Sequence, residues 1–415
     1  MLSVFLRDRT AFLLLMVGTA SFKLWLSGFA PATDSLREML RFVGVSSSLG
    51  PWIALDALIY GLWRSVTLSN ATAAIWWATP PTAMSSDLRL LSLLLRLPSF
   101  VFDVGIAITL YLLVRERATT RQARLVSLLW FLNPYGILAI EMLGVPDVAV
   151  SFLTVLAVAF FHKKRILLGS VCIAAGIGIK LYPILLLPPI LFYCRRELEI
   201  QRRSRLALVC LSFLGLAGYL TWVFQLGSAL VIYVLTEYTP VTQPTGALFE
   251  YIMATRISPA AVALVLLYFV VWLLGRTHQI TDLILPVFLV YLTFSNSYPQ
   301  YYVWAMPFLM LDIVLLKRHH LSLLSALVAL VLGSWFISSK GFLTPSGYSL
   351  LLIPLQGSNL PWYSQAVRSF LESSATNSLL TPLLHAALGA TTFIYAIEII
   401  RFWFRQTTKE SEPFH

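Results

Sequence analysis

The sequence predicts an all-α integral membrane protein with about twelve transmembrane helices. Hydrophobic residues make up 58% of its 415 positions and charged residues only 12%, and the mean hydropathy is +0.79. A water-soluble fold of this length needs a mostly polar exterior, which this composition does not supply. Apolar segments of about 15 to 25 residues recur along the chain, and about 20 residues cross the hydrocarbon core as a helix. The bilayer is therefore the expected solvent.

The spans follow from the apolar segments in chain order. The first comes after Arg7 and Arg9 and has no convincing small-residue cleavage site, so we interpret it as a retained helix rather than a signal peptide. Short connections, most of them basic, separate most of the later segments. The predicted spans are residues 11–29, 89–114, 125–142, 147–161, 166–180, 181–193, 206–226, 258–275, 280–296, 301–316, 321–338 and 379–400.

The basic residues predict the orientation, because cytoplasmic loops are enriched in Lys and Arg. Twenty of the 30 basic residues fall in the termini and alternate short connections that this rule assigns to the cytoplasm. Both termini are therefore predicted to be cytoplasmic. The net charge of +11 is mostly this topology signal, with contact to membrane lipids expected and no binding of nucleic acid.

Three long connections, residues 30–88, 227–257 and 339–378, face the luminal or extracellular side in this topology. The first contains amphipathic stretches at 34–43 and 52–66, which suit either interfacial helices or helices packed on the bundle. The second stretch places apolar residues on one stripe, namely Trp52, Leu55, Ile59 and Leu62. We predict one polytopic domain over 1–404 and a cytoplasmic tail over 405–415.

Several classes of site are absent from the sequence. The histidines lie on the predicted cytoplasmic side, apart from His385 within the last span, so no zinc-binding His cluster reaches the outer face. GxSxG, P-loop and GxGxxG patterns in workable contexts are missing as well. Acid or base chemistry on the outer side must therefore come from carboxylates.

The first outer loop supplies most of these carboxylates. Asp34 follows the first span and suits either a helix cap or a general base at the membrane surface. Glu38 lies four residues later on the same predicted face, and Asp56 and Asp87 follow in the loop. Asp147 opens the fourth span as a second plausible helix cap.

Ionisable residues inside the predicted spans form a second group of candidates. Arg96 and Asp103 are seven residues apart on one helix face, where charge is costly unless it is paired or functional. They suit a structural polar network or a site contact equally. Lys180 lies at the outer end of an apolar stretch, between glycines and Pro183. It suits snorkelling to the interface or binding of an anionic lipid phosphate.

Aromatic and amide groups crowd one outer boundary, in the segment from Ser295 to Pro307. An aromatic belt explains its Tyr and Trp residues, but not the combination of Pro299 with Gln300. We take Tyr298, Gln300 and Tyr301 as candidate binding residues.

These motifs, by their order along the chain and their common location on the outer face, resemble those of GT-C type glycosyltransferases. The resemblance is closest to the polyprenyl-phosphate-mannose-dependent mannosyltransferases related to the GPI and archaeal enzymes. The resemblance covers most of the chain. Its pieces are Thr33-Asp34, Thr79-Pro80-Pro81, Arg96-Leu97-Pro98 with Asp103, Asn133-Pro134, Gly144 to Asp147, Lys180-Leu181-Tyr182-Pro183, and Tyr298-Pro299-Gln300-Tyr301 with Trp304 and Pro307.

This resemblance implies a GT-C-like fold and an inverting transfer of a sugar, with mannose expected, from a polyprenyl (dolichyl) phosphate to an acceptor hydroxyl of a lipid, glycan or protein. Asp34 would be the catalytic base, although the chain lacks the paired acidic motif of many members. By their charge, Lys180 and Arg256 would hold the departing phosphate. Neither a cofactor nor a metal is required, and a divalent cation is an option.

Two alternatives to a membrane glycosyltransferase remain. One is a flippase or transporter of lipid-linked glycans. The other is a noncatalytic membrane subunit of a glycosylation complex. An accessory membrane subunit is a possible partner of the chain, whether or not the chain is itself an enzyme. The expected location is the plasma membrane or the endoplasmic reticulum, with the active site on the luminal or extracellular side.

Overall fold

The computed structural model describes residues 8–29, 51–67, 86–142, 144–196, 202–225, 259–274, 280–294, 299–315, 327, 383 and 386–401. All regular secondary structure within these ranges is helical, which confirms the predicted all-α class for this part of the chain. The candidate residues Asp34, Glu38, Arg256 and Tyr298 lie outside the described residues. So do the amphipathic stretch 34–43, the outer loops 227–257 and 339–378, and, apart from residue 327, the predicted span 321–338.

The described residues form twelve α-helices, α1 to α12 in chain order. They are α1 Arg9–Phe29, α2 Pro51–Thr67, α3 Ser86–Arg115, α4 Thr120–Phe131, α5 Asp147–His162, α6 Ile166–Ile179, α7 Leu187–Arg196, α8 Arg202–Gln225, α9 Pro259–Leu274, α10 Ile280–Phe294, α11 Met306–Leu315 and α12 at residues 386–401. A helical turn at Pro134–Gly136, a π-helix at Ile137–Met142 and 3₁₀-helices at Tyr182–Leu186 and Pro299–Val303 connect some of them.

Four helical segments of the described chain are long and apolar enough to cross a membrane. They are Arg9–Gly28, Arg89–Arg115, Thr120–Glu141 and Arg203–Thr221. Six further apolar helices are shorter, among them α5, α6, α9 and α10. The large apolar side chains on α1 and α8 are widely exposed, with Leu14 at 67% and Leu214 at 68%. Such a surface suits acyl chains rather than water, and it agrees with the membrane class that the composition predicts.

The chain divides into two compact units, and the boundary between them falls within α5. The first unit comprises residues 1–149 and 328–387. Its centre is α3, against which α1, α2 and α4 pack. A capping box between Thr119 and Gln122 starts α4. The α4 side chains of Ser127 and Trp130 then donate hydrogen bonds to backbone oxygens of Ala107 and Asp103 on α3, which fixes the register of the two helices.

Helix α2 coincides with the predicted amphipathic stretch 52–66, but its buried face differs from the predicted stripe. Asp56 and Trp63 are buried, and the Trp63 indole donates a 2.8 Å hydrogen bond to the backbone oxygen of Asp87. Leu58, Leu62 and Val66 are exposed at spacings of four residues. The helix therefore packs on α3 with a partly polar face and presents an apolar stripe outward, because a charged side chain is better buried against partners than exposed to lipid.

The second unit comprises residues 150–327 and 388–415. Its closest helix contact is between α6 and α8, where a Cβ on Gly215 would overlap the carbonyl group of Ala174. Small residues allow such close approach of helix backbones in membranes. The last helix, α12, is held by two polar contacts, from Tyr302 to Thr392 at 3.1 Å and from Tyr395 to the Asp312 carboxylate at 3.1 Å.

Candidate functional site: a buried charge cluster

The most distinctive site in the first unit is centred on Lys23, which is 0% exposed in the middle of α1. Its Nζ lies 2.6 Å from Oδ2 of Asp103 on α3 and 3.3 Å from Oε1 of Glu141 in the π-helix. The ammonium also lies 4.4 Å from the centroid of the Phe131 ring at the end of α4, a distance suited to a cation–π contact. One lysine thus joins three segments of the bundle.

A second cation extends this site on the side of α2. Arg96 on α3 is 1% exposed, and its Nη1 donates a 3.2 Å hydrogen bond to the backbone oxygen of Ser92. Its guanidinium interacts electrostatically with the carboxylates of Asp56 on α2 and Glu141. We call the five residues Lys23, Asp56, Arg96, Asp103 and Glu141 the buried charge cluster.

Local sequence explains how Glu141 reaches this cluster. Asn133 caps the turn at Pro134–Gly136 by accepting a 3.1 Å hydrogen bond from the backbone N–H of Tyr135. The chain then winds as a π-helix to Met142, and Gly144, two residues later, has a φ of 64°, which favours glycine. A π-helix rotates the following side chains relative to an α-helix and is frequent at functional sites.

The arrangement has a clear electrostatic consequence. Two cations face three carboxylates, and all five side chains are no more than about 1% exposed. Charge at this depth is costly unless it is compensated, and here the two cations offset two of the three negative charges. Removal of one member would leave others buried with fewer opposite charges. The cluster therefore holds helices α1, α2, α3 and the π-helix together.

The structure brings together only some of the predicted site residues. Asp56 and Arg96 meet in the buried charge cluster, whereas Asp87 is exposed in the first turn of α3. Asp147 is 1% exposed at the start of α5. The roles predicted for these residues in binding stay predictions.

Lys180 and Tyr301 meet in the second unit. The Lys180 ammonium lies 4.9 Å from the centroid of the Tyr301 ring and 5.9 Å from that of Trp304. Trp304 stacks on Tyr182 with ring centroids 3.7 Å apart, and Tyr301 stacks on Trp304 at 4.6 Å. We call Lys180, Tyr182, Tyr301 and Trp304 the Lys180 aromatic group. Gln300 lies in the 3₁₀-helix Pro299–Val303 beside it.

Sequence reasoning missed the central member of the buried charge cluster. Arg96 and Asp103 were singled out from their shared helix face, but the direct partner of Asp103 is Lys23. A lysine in the first apolar span was the available signal, since a charge there requires a partner. The position of Glu141 could not be predicted in the same way, because no sequence pattern indicates the π-helix that turns its side chain inward.

Within the described residues, no group of three or more His, Cys, Asp or Glu side chains is arranged to hold a metal ion. The predicted independence from cofactors, and the option of a divalent cation, stay predictions.

Comparison with known proteins changes the functional interpretation. The model of a family described as GPI transamidase subunit PIG-U matches residues 72–249, which is less than half of the chain. The matched stretch contains α3 to α8 and three members of the buried charge cluster, Arg96, Asp103 and Glu141. No curated protein matches the chain.

This match contradicts the predicted sugar transfer. A transamidase subunit is not a lipid-phosphate-dependent glycosyltransferase, so the predictions of a mannosyltransferase, of its enzyme class and of its sugar donor are wrong. The physical reason is that the resembling pieces are mainly helix ends, prolines and buried charges, which hold a bundle together whether or not it catalyses a reaction. Over residues 72–249, the chain is similar to a membrane-complex subunit, the last of the alternatives that the sequence left open.

Proposed function

We propose that the chain is a noncatalytic membrane subunit of a multisubunit complex of the GPI transamidase type. The observation that carries the proposal is the family match over residues 72–249. The buried charge cluster supports it, because its members pair or interact electrostatically with one another and join helices of the matched stretch to α1 and α2. A subunit with this role provides a rigid helical scaffold, and the catalytic groups belong to another chain.

The proposed topology keeps the orientation that the basic residues predict. We propose about twelve spans with both termini in the cytoplasm, in a GT-C-like arrangement, and the endoplasmic reticulum as the membrane. The short helices α5, α6, α9 and α10 then act as spans or half-spans within the bundle rather than as soluble elements. The subunit partners would share this membrane.

Copurification tests the proposal directly. The full-length chain, tagged and solubilised in mild detergent, should copurify with a defined set of membrane proteins that includes a transamidase catalytic chain. Loss of the chain should lower the attachment of GPI to proteins at the cell surface. An unrelated tagged polytopic protein of similar size controls for nonspecific association. Recovery of the chain without any transamidase component would contradict the proposal.

A point substitution separates the subunit from a sugar-transferring enzyme. Asp34→Asn should complement loss of the chain fully, because a noncatalytic subunit needs no general base at that position. The removal of a general base from an enzyme lowers turnover by about 10²-fold or more. Failure of Asp34→Asn to complement, with normal expression and assembly, would show that chemistry resides in this chain.

A further inference from the structure

The depth of Lys180 in the membrane follows from the length of α6. Lys163, Lys164 and Arg165 immediately precede this helix, and three consecutive basic residues place its start at a membrane surface. Helix α6 has 14 residues, and at 1.5 Å per residue it is about 21 Å long. The hydrocarbon core is about 30 Å thick. Lys180 directly follows the helix and thus lies about 9 Å short of the opposite surface.

Helix α8 gives a second, shallower value for this depth. It has 24 residues and is about 36 Å long, enough to cross the whole core. Its start at Arg202 is separated from the end of α7 at Arg196 by only five residues. Where the two helices touch, Ala174 lies beside Gly215. Beyond this contact α6 reaches Lys180 after about 9 Å, whereas α8 continues for about 15 Å. The end of α8 lies about 6 Å beyond Lys180. Counted from the start of α8, Lys180 lies about 28 Å along the core of about 30 Å, so the two helices together place it about 2–9 Å below the opposite surface.

The Lys180 aromatic group holds the ammonium in a defined place at this depth. The rings of Tyr301 and Trp304 lie within 4.9 and 5.9 Å of Nζ, and the stack with Tyr182 fixes them. Tyr182, Tyr301 and Trp304 are at least 95% buried, but Lys180 is only half-buried. The next residue, Leu181, is 39% exposed. Lys180 therefore lies at the edge of the protein, next in sequence to an exposed apolar residue.

We propose that the Lys180 aromatic group is a binding site for the phosphate of an anionic membrane lipid. A cation at the protein edge and below the membrane surface meets lipid head groups, because lysine snorkels upward and the bilayer thins locally around buried charge. An ammonium is a point charge that suits phosphate, and the rings orient it without competing as hydrogen-bond acceptors. Inorganic phosphate shares this chemistry, but it would have to leave water to reach this depth. This inference does not depend on the proposed subunit role.

Native mass spectrometry of the full-length chain in detergent tests the site. The protein is incubated with phosphatidic acid or with phosphatidylcholine of the same acyl chains, and the retained lipid is counted. Wild type should retain phosphatidic acid in preference to phosphatidylcholine, and Lys180→Gln should bind phosphatidic acid about tenfold more weakly or worse, since a charge-assisted contact is lost. Lys180→Arg should retain most of the binding.

Lys163→Gln is the matched control, because it removes an exposed lysine from the other end of α6. It should retain most of the binding of phosphatidic acid, because Lys164 and Arg165 remain beside it at that surface, and thermal unfolding of both Gln variants should show that they are folded. If Lys180→Gln does not fold, the preference of wild type and Lys180→Arg for phosphatidic acid is compared with that of Tyr301→Leu, which should weaken it. Equal retention by wild type and Lys180→Gln would overturn the site. Displacement of the lipid by millimolar inorganic phosphate would overturn the assignment to a lipid.

Discussion

Replacement of Lys23 by methionine is the sharpest test of the buried charge cluster. Methionine has a similar length and fills the same space, so the variant removes the charge and little of the packing. It leaves Asp103 and Glu141 buried without the ammonium that lies 2.6 and 3.3 Å from their oxygens. Loss of one partner from a buried ion pair costs about 3–5 kcal/mol. We expect a loss of this size in the free energy of unfolding.

Thermal unfolding of the purified full-length chain in detergent measures the effect. For a unit of about 200 residues, 1 kcal/mol shifts Tm by about 2–4 °C, so Lys23→Met should lower Tm by about 6–20 °C. Lys163→Met is the control, because it removes an exposed lysine and should change stability by less than about 0.5 kcal/mol.

A combined variant distinguishes charge from packing. Lys23→Met with Asp103→Asn and Glu141→Gln removes all three charges together, and replacing an entire buried ion pair is often nearly neutral. Most of the stability lost in Lys23→Met should therefore return. If the combined variant is as unstable as the single one, the lysine contributes by its shape alone. If Lys23→Met unfolds like wild type, the cluster does not hold α1, and our interpretation that it holds these helices together is refuted.

Three further predictions concern other parts of the molecule. Gly215→Val should destabilise the second unit by about 1–3 kcal/mol in thermal unfolding because its side chain would overlap α6, whereas Gly218→Val faces open space and should change little. Tyr395→Phe loses a hydrogen bond to a buried carboxylate and should cost about 1.5–3 kcal/mol in the same assay. In a background without native cysteines, Lys163→Cys should react with an impermeant maleimide only from the cytoplasmic side and Lys340→Cys only from the opposite side; labelling of both from one side would contradict the proposed topology.

The sequence predicted the helical class because the signal for it is spread over the whole chain. Composition and the length of apolar segments depend on many residues, so a local exception does not change the result. The ends of the helical segments were harder to predict from the sequence. The predicted spans 166–180 and 181–193 divide at Lys180 in the structure as well, because Pro183 and the preceding glycines mark the break. No comparable feature of the sequence indicates the π-helix within the predicted span 125–142.

The candidate site was predictable only in part, because charges on different helices meet through tertiary packing. The cost of a charge in a membrane span indicated that Arg96 and Asp103 need partners, but it did not say which partners. Periodicity relates residues on one helix, as it does for this pair, and carries no information about a lysine 80 positions away. The aromatic residues around Lys180 were recognised as a boundary feature, and only the structure shows them beneath its ammonium.

The failed prediction of sugar transfer has a physical origin in the same residues. A bundle of membrane helices needs prolines where helices end, small residues where they touch, and paired charges where polar groups are buried. These requirements do not change when a chain loses or never had a catalytic role. Arg96 and Asp103 illustrate this, because Asp103 pairs with Lys23 and Arg96 interacts electrostatically with Asp56 and Glu141 of the same chain. The order of such residues along a sequence therefore reports a shared architecture. A binding site is distinguished by a group whose charge is directed at a ligand, and Lys180, at the edge of the protein, is the residue of the described chain for which we propose this.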